Sequence, residues 1–418
     1  RLTVCGRDFD VARLGRILVV GAGKAGAGMA AAVEAALGED LLQRTAGFVN
    51  VPEDCVRPLR KVILHGARPA GVNEPVQAGV DGAGKILQLV ESLSSNDLCL
   101  TLISGGGSAL LPAPIDGVSL ADKQTVTRIL MRAGATINEL NCVRRQLSRI
   151  KGGGLARAAR AGAMVTLIIS DVIGDPLDVI ASGPTVNDES VPEQAMEILD
   201  RLVPVSDLIP ESVTMALRRK SEQRQVAPAI DPVRFQNVIL GSNQIAVEAA
   251  ADRARRLGFH VEVESGVGGV AADLGRALAA RCCAIRGASR AVPVCLISGG
   301  EPVVRLADTD VPRKGGRNQE LVLAACGQLR EDDAPGIVIL SGGTDGEDGP
   351  TDAAGAWLDV EVLRRMRSLE LVPESFLAIN NSYAFFQQTG GLLLTGPTHT
   401  NVMDLRVALI DSGRISDG

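Results

Sequence analysis

Aromatic side chains are scarce in this 418-residue chain, at 2%. Without stacking platforms it is a poor candidate for single-stranded nucleic-acid binding. Ala, Val, Leu and Ile must then fill its cores. Positive charge is not in excess either: the net charge is −6, whereas a nucleic-acid binder carries a basic surplus. No run of 18 or more apolar residues occurs, so nothing reads as a membrane span, and no signal-peptide pattern is present. The eight cysteines contain no CxxC pair. Several, such as Cys99 and Cys295, sit in apolar stretches and read as buried, reduced thiols of a reducing compartment. His65, His260 and His399 lie too far apart for a local zinc pattern. The expected address is cytoplasmic, or mitochondrial if a targeting segment precedes Arg1.

The length suggests two or three domains. Apolar residues at 46% and charged residues at 22% are ordinary for a globular protein. Strands are expected at 17–20, 45–51, 61–64, 98–103, 164–169, 237–240, 260–263, 293–297 and 337–340. Helices are expected at 24–37, 76–93, 121–133, 152–160, 191–201, 244–257, 271–286, 317–329 and 359–367. Strand then helix, repeated, predicts an α/β fold with mostly parallel sheets covered on both faces. Such sheets bind ligands beyond the carboxyl ends of their strands. The polar segment 218–234 has no apolar period and reads as a surface loop or linker, which places a boundary near 236 and domains at 1–235 and 236–418.

Five times an apolar strand runs into a small polar or glycine loop: LVVGAGKAG, LISGGGSA, LIISDVIGD, LISGGEP and LSGGTDGEDG. Glycine lets the backbone turn sharply and aim successive N–H groups at an anion. The first loop, with Gly21, Gly23 and Gly26, matches G-x-G-x-x-G, and Lys24 inside it would place an ammonium beside a bound anion. No Lys-Ser/Thr pair closes it, so it is not a Walker A loop. Ser104-Gly105-Gly106-Gly107-Ser108 reads as a cradle for phosphate oxygens rather than as a flexible turn. Gly299 and Gly300 end another such strand.

Asp171 and Asp175 follow one strand, and Asp345, Glu347, Asp348 and Asp352 another. Hard oxygen ligands there suit Mg²⁺ carrying nucleotide phosphates, although N-caps and solvated turns explain some of them. Arg317 opens a helix, where a guanidinium opposes the dipole; that is a poor structural choice and a good anion-binding one. Arg144, Arg145, Arg149 and Lys151 read for the most part as a solvated face. Thr, Asn and Asp in the loop 396–404 could cap or ligate.

Together VVGAGKAGAGMA, LISGGGSALL, LNCVRRQLSRIKGGGLA, IISDVIGDPLDVIASGPT, ISGGEPVV, GGRNQELVLA, LSGGTDGEDGPTDAAGA and TGPTHTNVMDL resemble the glycerate 2-kinases of the MOFRL type. The resemblance runs from about 18 to 405. It implies an N-terminal Rossmann-like, doubly wound domain and a C-terminal α/β domain holding the MOFRL region (about 292–410), with the active site in the cleft. It also implies ATP-dependent phosphorylation of D-glycerate with Mg²⁺. The 2-hydroxyl is favoured and the 3-hydroxyl is the alternative. Lys24 and Arg317 match the family's active-site cations, and Asp171 and Asp345 its acidic positions. The resulting expectation has three catalytic residues, Lys24, Arg317 and Asp171. Lys24 and Arg317 hold the phosphoryl group and the carboxylate, in either order, and Asp171 orients the hydroxyl. The nucleotide is expected on Gly23, Ser104–Ser108, Gly299 and Gly300, and the metal on Asp345 and Asp171. Small molecules are the expected partners, with neither nucleic acid nor membrane, and a homodimer is allowed. One departure is that the family's helical region ahead of the first strand is mostly missing.

Two rivals remain. A nicotinamide oxidoreductase would want an acid about 20 residues past the glycine loop, and Glu53 lies 27 past Gly26. A non-catalytic sugar- or nucleotide-binding regulator would bind ATP without releasing ADP. A serine hydrolase is weaker, since no G-x-S-x-G elbow occurs.

Overall fold

The computed structural model describes residues 1–72, 74–203, 208–223, 228–288, 292–329 and 335–411. The chain divides into two compact units, Arg1–Leu240 and Gly241–Gly418.

The first unit opens with a hairpin, β1 (Leu2–Val4) and β2 (Arg7–Phe9). A six-stranded sheet follows: β3 (Ile17–Ala22), β4 (Thr45–Pro52), β5 (Val62–Arg68), β6 (Leu98–Ile103), β7 (Ala163–Ile169) and β8 (Phe235–Gly241). Its order is β5-β4-β3-β6-β7-β8, and β5, β4, β3, β6 and β7 run parallel. Counted from β3, that is the 3-2-1-4-5-6 order of the Rossmann fold. Alternate residues of one strand feed opposite cores. Leu18 and Val20 pack with Ile86 and Val90 of the helix Gln77–Glu91, while Ile17 and Val19 pack with Ala27 and Ala30 of the helix Gly26–Ala36. Both faces are covered, so the strands carry unbroken apolar runs.

A helical satellite core joins this unit. It is built by Leu120–Arg132 and Ile137–Gln146, between β6 and β7, and by Pro192–Leu202 and Glu211–Glu222, between β7 and β8. Ser119 with Asp122, and Thr136 with Glu139, form reciprocal capping boxes that fix two of these helix starts. The segment read as a linker from 218 therefore begins inside a helix, where Val213, Ala216 and Leu217 are buried. Its residues 224–227 lie outside the described residues. The strand near 237–240 belongs to the first sheet, so that sheet extends past residue 236.

The second unit holds β9 (His260–Glu264), β10 (Val294–Gly300), β11 (Ile337–Gly343), β12 (Gly355–Leu358), β13 (Leu392–Leu393) and β14 (Asp404–Ile410). Their order is β13-β12-β11-β14-β10-β9. Among the described residues only β9 and β10 of this sheet pair in parallel; β14 inserts antiparallel between β10 and β11, and β12 and β13 extend the edge antiparallel. The expectation of mostly parallel sheets therefore fails here. The physical reason is β14: it runs opposite to both of its neighbours, and antiparallel pairing needs no helical crossover of the kind that makes a sheet parallel.

Among the described residues no helix is long and apolar enough to cross a membrane.

Candidate active site

In the first unit the chain leaves β3 toward β4 and returns at β6, so the β3/β6 boundary is the topological switch point where such sheets bind ligands. The loops GAGKAG and SGGGS emerge there side by side and lock together. The Lys24 N–H donates to the Gly105 carbonyl at 2.9 Å, and the Ser104 N–H to the Ala22 carbonyl at 3.1 Å. The Ala25 N–H donates to Ser104 Oγ at 3.0 Å. Gly23 has φ +148°, and a Cβ there would stand 2.0 Å from Ser104 Oγ. Only glycine lets the two loops approach this closely.

The interlock decides which groups can meet an anion. The N–H groups of Lys24 and Ala25 are already taken inside the protein. Among the described residues, the N–H groups of Gly105 and Gly106 donate to no protein acceptor. Gly106 has φ +77°, and a Cβ on it would stand 3.3 Å from Arg68 Nη2 and 3.8 Å from Lys24 Cγ. Two cations therefore flank the open part of the cradle. Arg68, the last residue of β5, is almost wholly buried, and that burial lowers its pKa against the opposing pull of Asp54 and Cys55. Nothing in the sequence singled it out, although it ends a strand at the same carboxyl edge. Gly107 begins the short helix Gly107–Leu110. The Ser108 hydroxyl accepts from Arg144 Nη2 and Lys151 Nζ, each at 2.6 Å.

Asp171 lies two residues beyond β7, half-buried, at this same carboxyl edge. The basic segment does not read as expected: Lys151 is buried, Arg144 and Arg145 are half-buried, and only Arg149 is exposed. Arg145 is tied to Asp178 and Asp188.

In the second unit Arg317 starts the helix Arg317–Cys326. Its Nε and Nη2 donate to the two carboxylate oxygens of Asp404 at 2.7 and 3.0 Å, and its Nη1 to Glu301 at 2.8 Å. Asp404 begins β14, is fully buried, and lies in register with Gly300 of β10 and Gly343 of β11. Burial works against the Arg317 charge, but Asp404 and Glu301 outweigh it and raise its pKa. The unfavourable helix position thus has a structural partner 87 residues away.

Asp348 serves as that helix's N-terminal acceptor. Its carboxylate takes the N–H groups of Asn318 at 3.0 Å and Gln319 at 2.8 Å. Burial pushes its pKa up to about 6 against those hydrogen bonds. Asp345 is half-buried, and its Oδ1 accepts the Glu347 N–H at 3.2 Å. Arg317, Asp345, Glu347 and Asp348 line a cavity of about 680 Å³ together with Pro302, Arg313 and Asn380. The loop 396–404 is laced to this wall: Thr344 Oγ1 donates to the Met403 carbonyl at 2.7 Å, and the Thr398 N–H to the Asp345 carbonyl at 3.0 Å. Gly299 and Gly300 are buried inside β10, where added Cβ atoms would stand 1.9 Å from Asn243 Oδ1 and 2.2 Å from the Val267 carbonyl. Close packing accounts for both.

Residues 2–218 match a family model described as a domain of unknown function, and residues 294–404 match the MOFRL family. Glycerate kinase from Danio rerio is 38% identical over 98% of this chain and 91% of its own. This chain belongs to the glycerate kinase family. Glycerate 2-kinase from Pyrococcus horikoshii is 36% identical over 99% of this chain and 91% of its own. A putative hydroxypyruvate reductase from Agrobacterium vitis is 40% identical over 95% and 87%. The crystal structure of glycerate kinase from Thermotoga maritima superposes with a TM-score of 0.85 at 35% identity, covering 95% of this chain and 92% of that one.

Proposed function

We propose that this glycerate kinase uses ATP as donor and D-glycerate as acceptor, with the 2-hydroxyl favoured and the 3-hydroxyl as the alternative. The observation that carries this reading is the open N–H pair of Gly105 and Gly106 at the switch point, flanked by Lys24 and Arg68. Phosphoryl transfer asks a protein for charge neutralisation and positioning more than for covalent chemistry. Backbone N–H groups and two fixed cations supply that. The SGGGS loop is assigned to the nucleotide phosphates. Lys24 and Arg317 are assigned to the transferring phosphoryl group and the glycerate carboxylate, in either order, and Asp171 to the acceptor hydroxyl. The name of the Pyrococcus horikoshii relative supports the 2-hydroxyl.

Mg²⁺ would neutralise charge on the nucleotide, and Asp345 and Asp171 are the candidate ligands. Among the described residues no group of three or more His, Cys, Asp or Glu is gathered to hold a metal ion. An ion that arrives with phosphates and water would take only one or two protein carboxylates.

The reductase reading would put a pyrophosphate against the N–H groups that open the helix Gly26–Ala36. Those of Lys24 and Ala25 are occupied by Gly105 and Ser104, which disfavours it.

The deciding experiment supplies Mg-ATP and D-glycerate and follows phosphoenolpyruvate with enolase present and phosphoglycerate mutase omitted. Signal without mutase is the expected result. Signal only after mutase is added moves transfer to the 3-hydroxyl. Silence in both, with ATP bound, overturns the reaction.

A further inference from the structure

Three cations come together inside the first unit, and among the described residues no acid joins them. Lys123 lies on the helix Leu120–Arg132, on the same buried stripe as Val126 and Leu130. Arg144 lies on the helix Ile137–Gln146, and Lys151 in the turn that follows it. Lys151 Nζ donates to Ser108 Oγ at 2.6 Å, to the Ser108 carbonyl at 3.1 Å and to the Ala181 carbonyl at 3.4 Å. Arg144 donates to the same Ser108 hydroxyl at 2.6 Å and to Asn141 Oδ1 at 3.5 Å. Lys123 Nζ is buried and, among the described residues, has no hydrogen-bond partner. Every acceptor in the cluster is neutral.

Such a cluster is unfavourable as it stands. Like charges repel strongly where water is excluded, and an unpaired buried ammonium is among the most expensive groups a fold can hold. Burial first, and then Arg144, lowers the Lys123 pKa to about 7. Burial, Arg144 and Lys123 lower that of Lys151 well below its ordinary value, and no carboxylate opposes the shift in either lysine. The backbone beside them is strained as well. Ala181 (φ +50°) and Ser182 (φ +61°) are consecutive non-glycine residues in the left-handed region. That turn aims the Ala181 carbonyl at Lys151 and sets the Ser182 hydroxyl 3.3 Å from that of Ser108. Strain of this kind persists where the surroundings hold it and concentrates at functional sites.

We propose that Lys123, Arg144 and Lys151, the last two converging on the Ser108 hydroxyl, form a binding site for a small oxyanion, a carboxylate or a phosphate, with the Lys123 ammonium as its open donor. Ser108 places it at the end of the SGGGS loop. The proposal rests on the kinase reading for the identity of the anion: the carboxylate of glycerate, or a phosphate of the nucleotide. It does not rest on that reading for the existence of the site.

The test is calorimetric titration of wild type, K123M and K123Q, without metal, using D-glycerate, inorganic phosphate and ADP separately. Thermal melts of each protein run alongside. Wild type should bind at least one of the three, and both variants should bind that anion at least tenfold more weakly. K123M should also melt higher than wild type in the absence of anions, because an uncompensated charge is gone. A purely structural lysine would show the opposite. Selective loss of glycerate binding assigns the site to the carboxylate. Selective loss of phosphate or ADP assigns it to the nucleotide. Unchanged affinity for all three in K123M and K123Q overturns the proposal. A wild type that binds the anion through Lys123 but phosphorylates nothing would sink the kinase reading and leave the site standing.

Discussion

Arg317 is proposed as an active-site cation, yet its geometry is that of a structural ion pair, and the two roles can be separated. Replacing Arg317 with Ala leaves the fully buried Asp404 carboxylate without its two hydrogen-bond donors and with only Arg406 as a nearby cation. Removing one partner of a buried pair costs about 3–5 kcal/mol. Replacing Asp404 with Ala is milder. Arg317 keeps Glu301 and its side chain is 31% exposed, so water takes up part of the charge. A loss of about 1–3 kcal/mol is expected there. The double variant R317A/D404A removes both partners of the pair, leaving the buried Arg406 with Glu264 as its acid, and should still be more stable than R317A alone, with a coupling of about 2 kcal/mol or more. Urea unfolding followed by fluorescence reads this out cleanly. Trp357, the single tryptophan, lies in β12 and reports the second unit. Turnover of the folded double variant then isolates function. If Arg317 holds a substrate anion, the double variant regains stability and stays inactive. If turnover returns with stability, Arg317 is a structural residue only. An R317A protein that loses less than about 1 kcal/mol would refute the buried-pair argument itself.

Other expectations follow from the same geometry. G23A should lose about 3 kcal/mol and its nucleotide binding, because the added Cβ meets Ser104 at 2.0 Å in a backbone region reserved for glycine; wild-type ADP affinity would refute the interlock. K24A should cut turnover by roughly two to three orders of magnitude while its melting temperature holds, and near-normal turnover would remove Lys24 from the site. D348A leaves two buried helix N–H groups without acceptors and should lose about 2–4 kcal/mol in the Trp357 transition; an unchanged midpoint would show that the cap is dispensable. Lys123 predicts a pH effect. Its folded pKa of about 7 lies below the ordinary lysine value of 10.5, so the unfolded chain binds more protons between those limits. Stability should therefore rise with pH through that window. Each lowered lysine contributes a slope of up to about 1.4 kcal/mol per pH unit. Arg144 and Lys151 face Lys123 and, among the described residues, no acid does, so K123M should flatten the curve relative to wild type. Parallel curves would refute it.

What was legible in the sequence follows from how far apart the interacting residues lie. Unbroken apolar runs such as Leu98–Ile103, and helices with apolar period such as Gln77–Glu91, carry their own signal, because a doubly covered sheet writes its burial into contiguous residues. The strand β14 gave no such sign. Its alternating burial is an ordinary edge-strand pattern, and nothing local says that it inserts between β10 and β11. The site divides the same way. Glycine loops directly after strands mark Lys24 and Ser104–Ser108, since the turn and its anion-facing N–H groups are one local motif.

The cations that give those loops their electrostatics are remote from one another in the chain. Arg68 comes from the end of β5, and Lys123 and Arg144 come from two helices of the satellite core. Lys123 carried one faint mark, a lysine at the spacing of Val126 and Leu130 on an otherwise apolar stripe. A lysine on such a stripe is a stability defect unless something negative comes to meet it. The fold keeps the defect, adds two more cations beside it, and holds Ala181 and Ser182 in a costly conformation to complete the ring. Neither hydrophobic packing nor helix propensity rewards that arrangement, whereas an arriving oxyanion would. The residues that break the local rules of folding are therefore the ones on which the anion-binding argument depends.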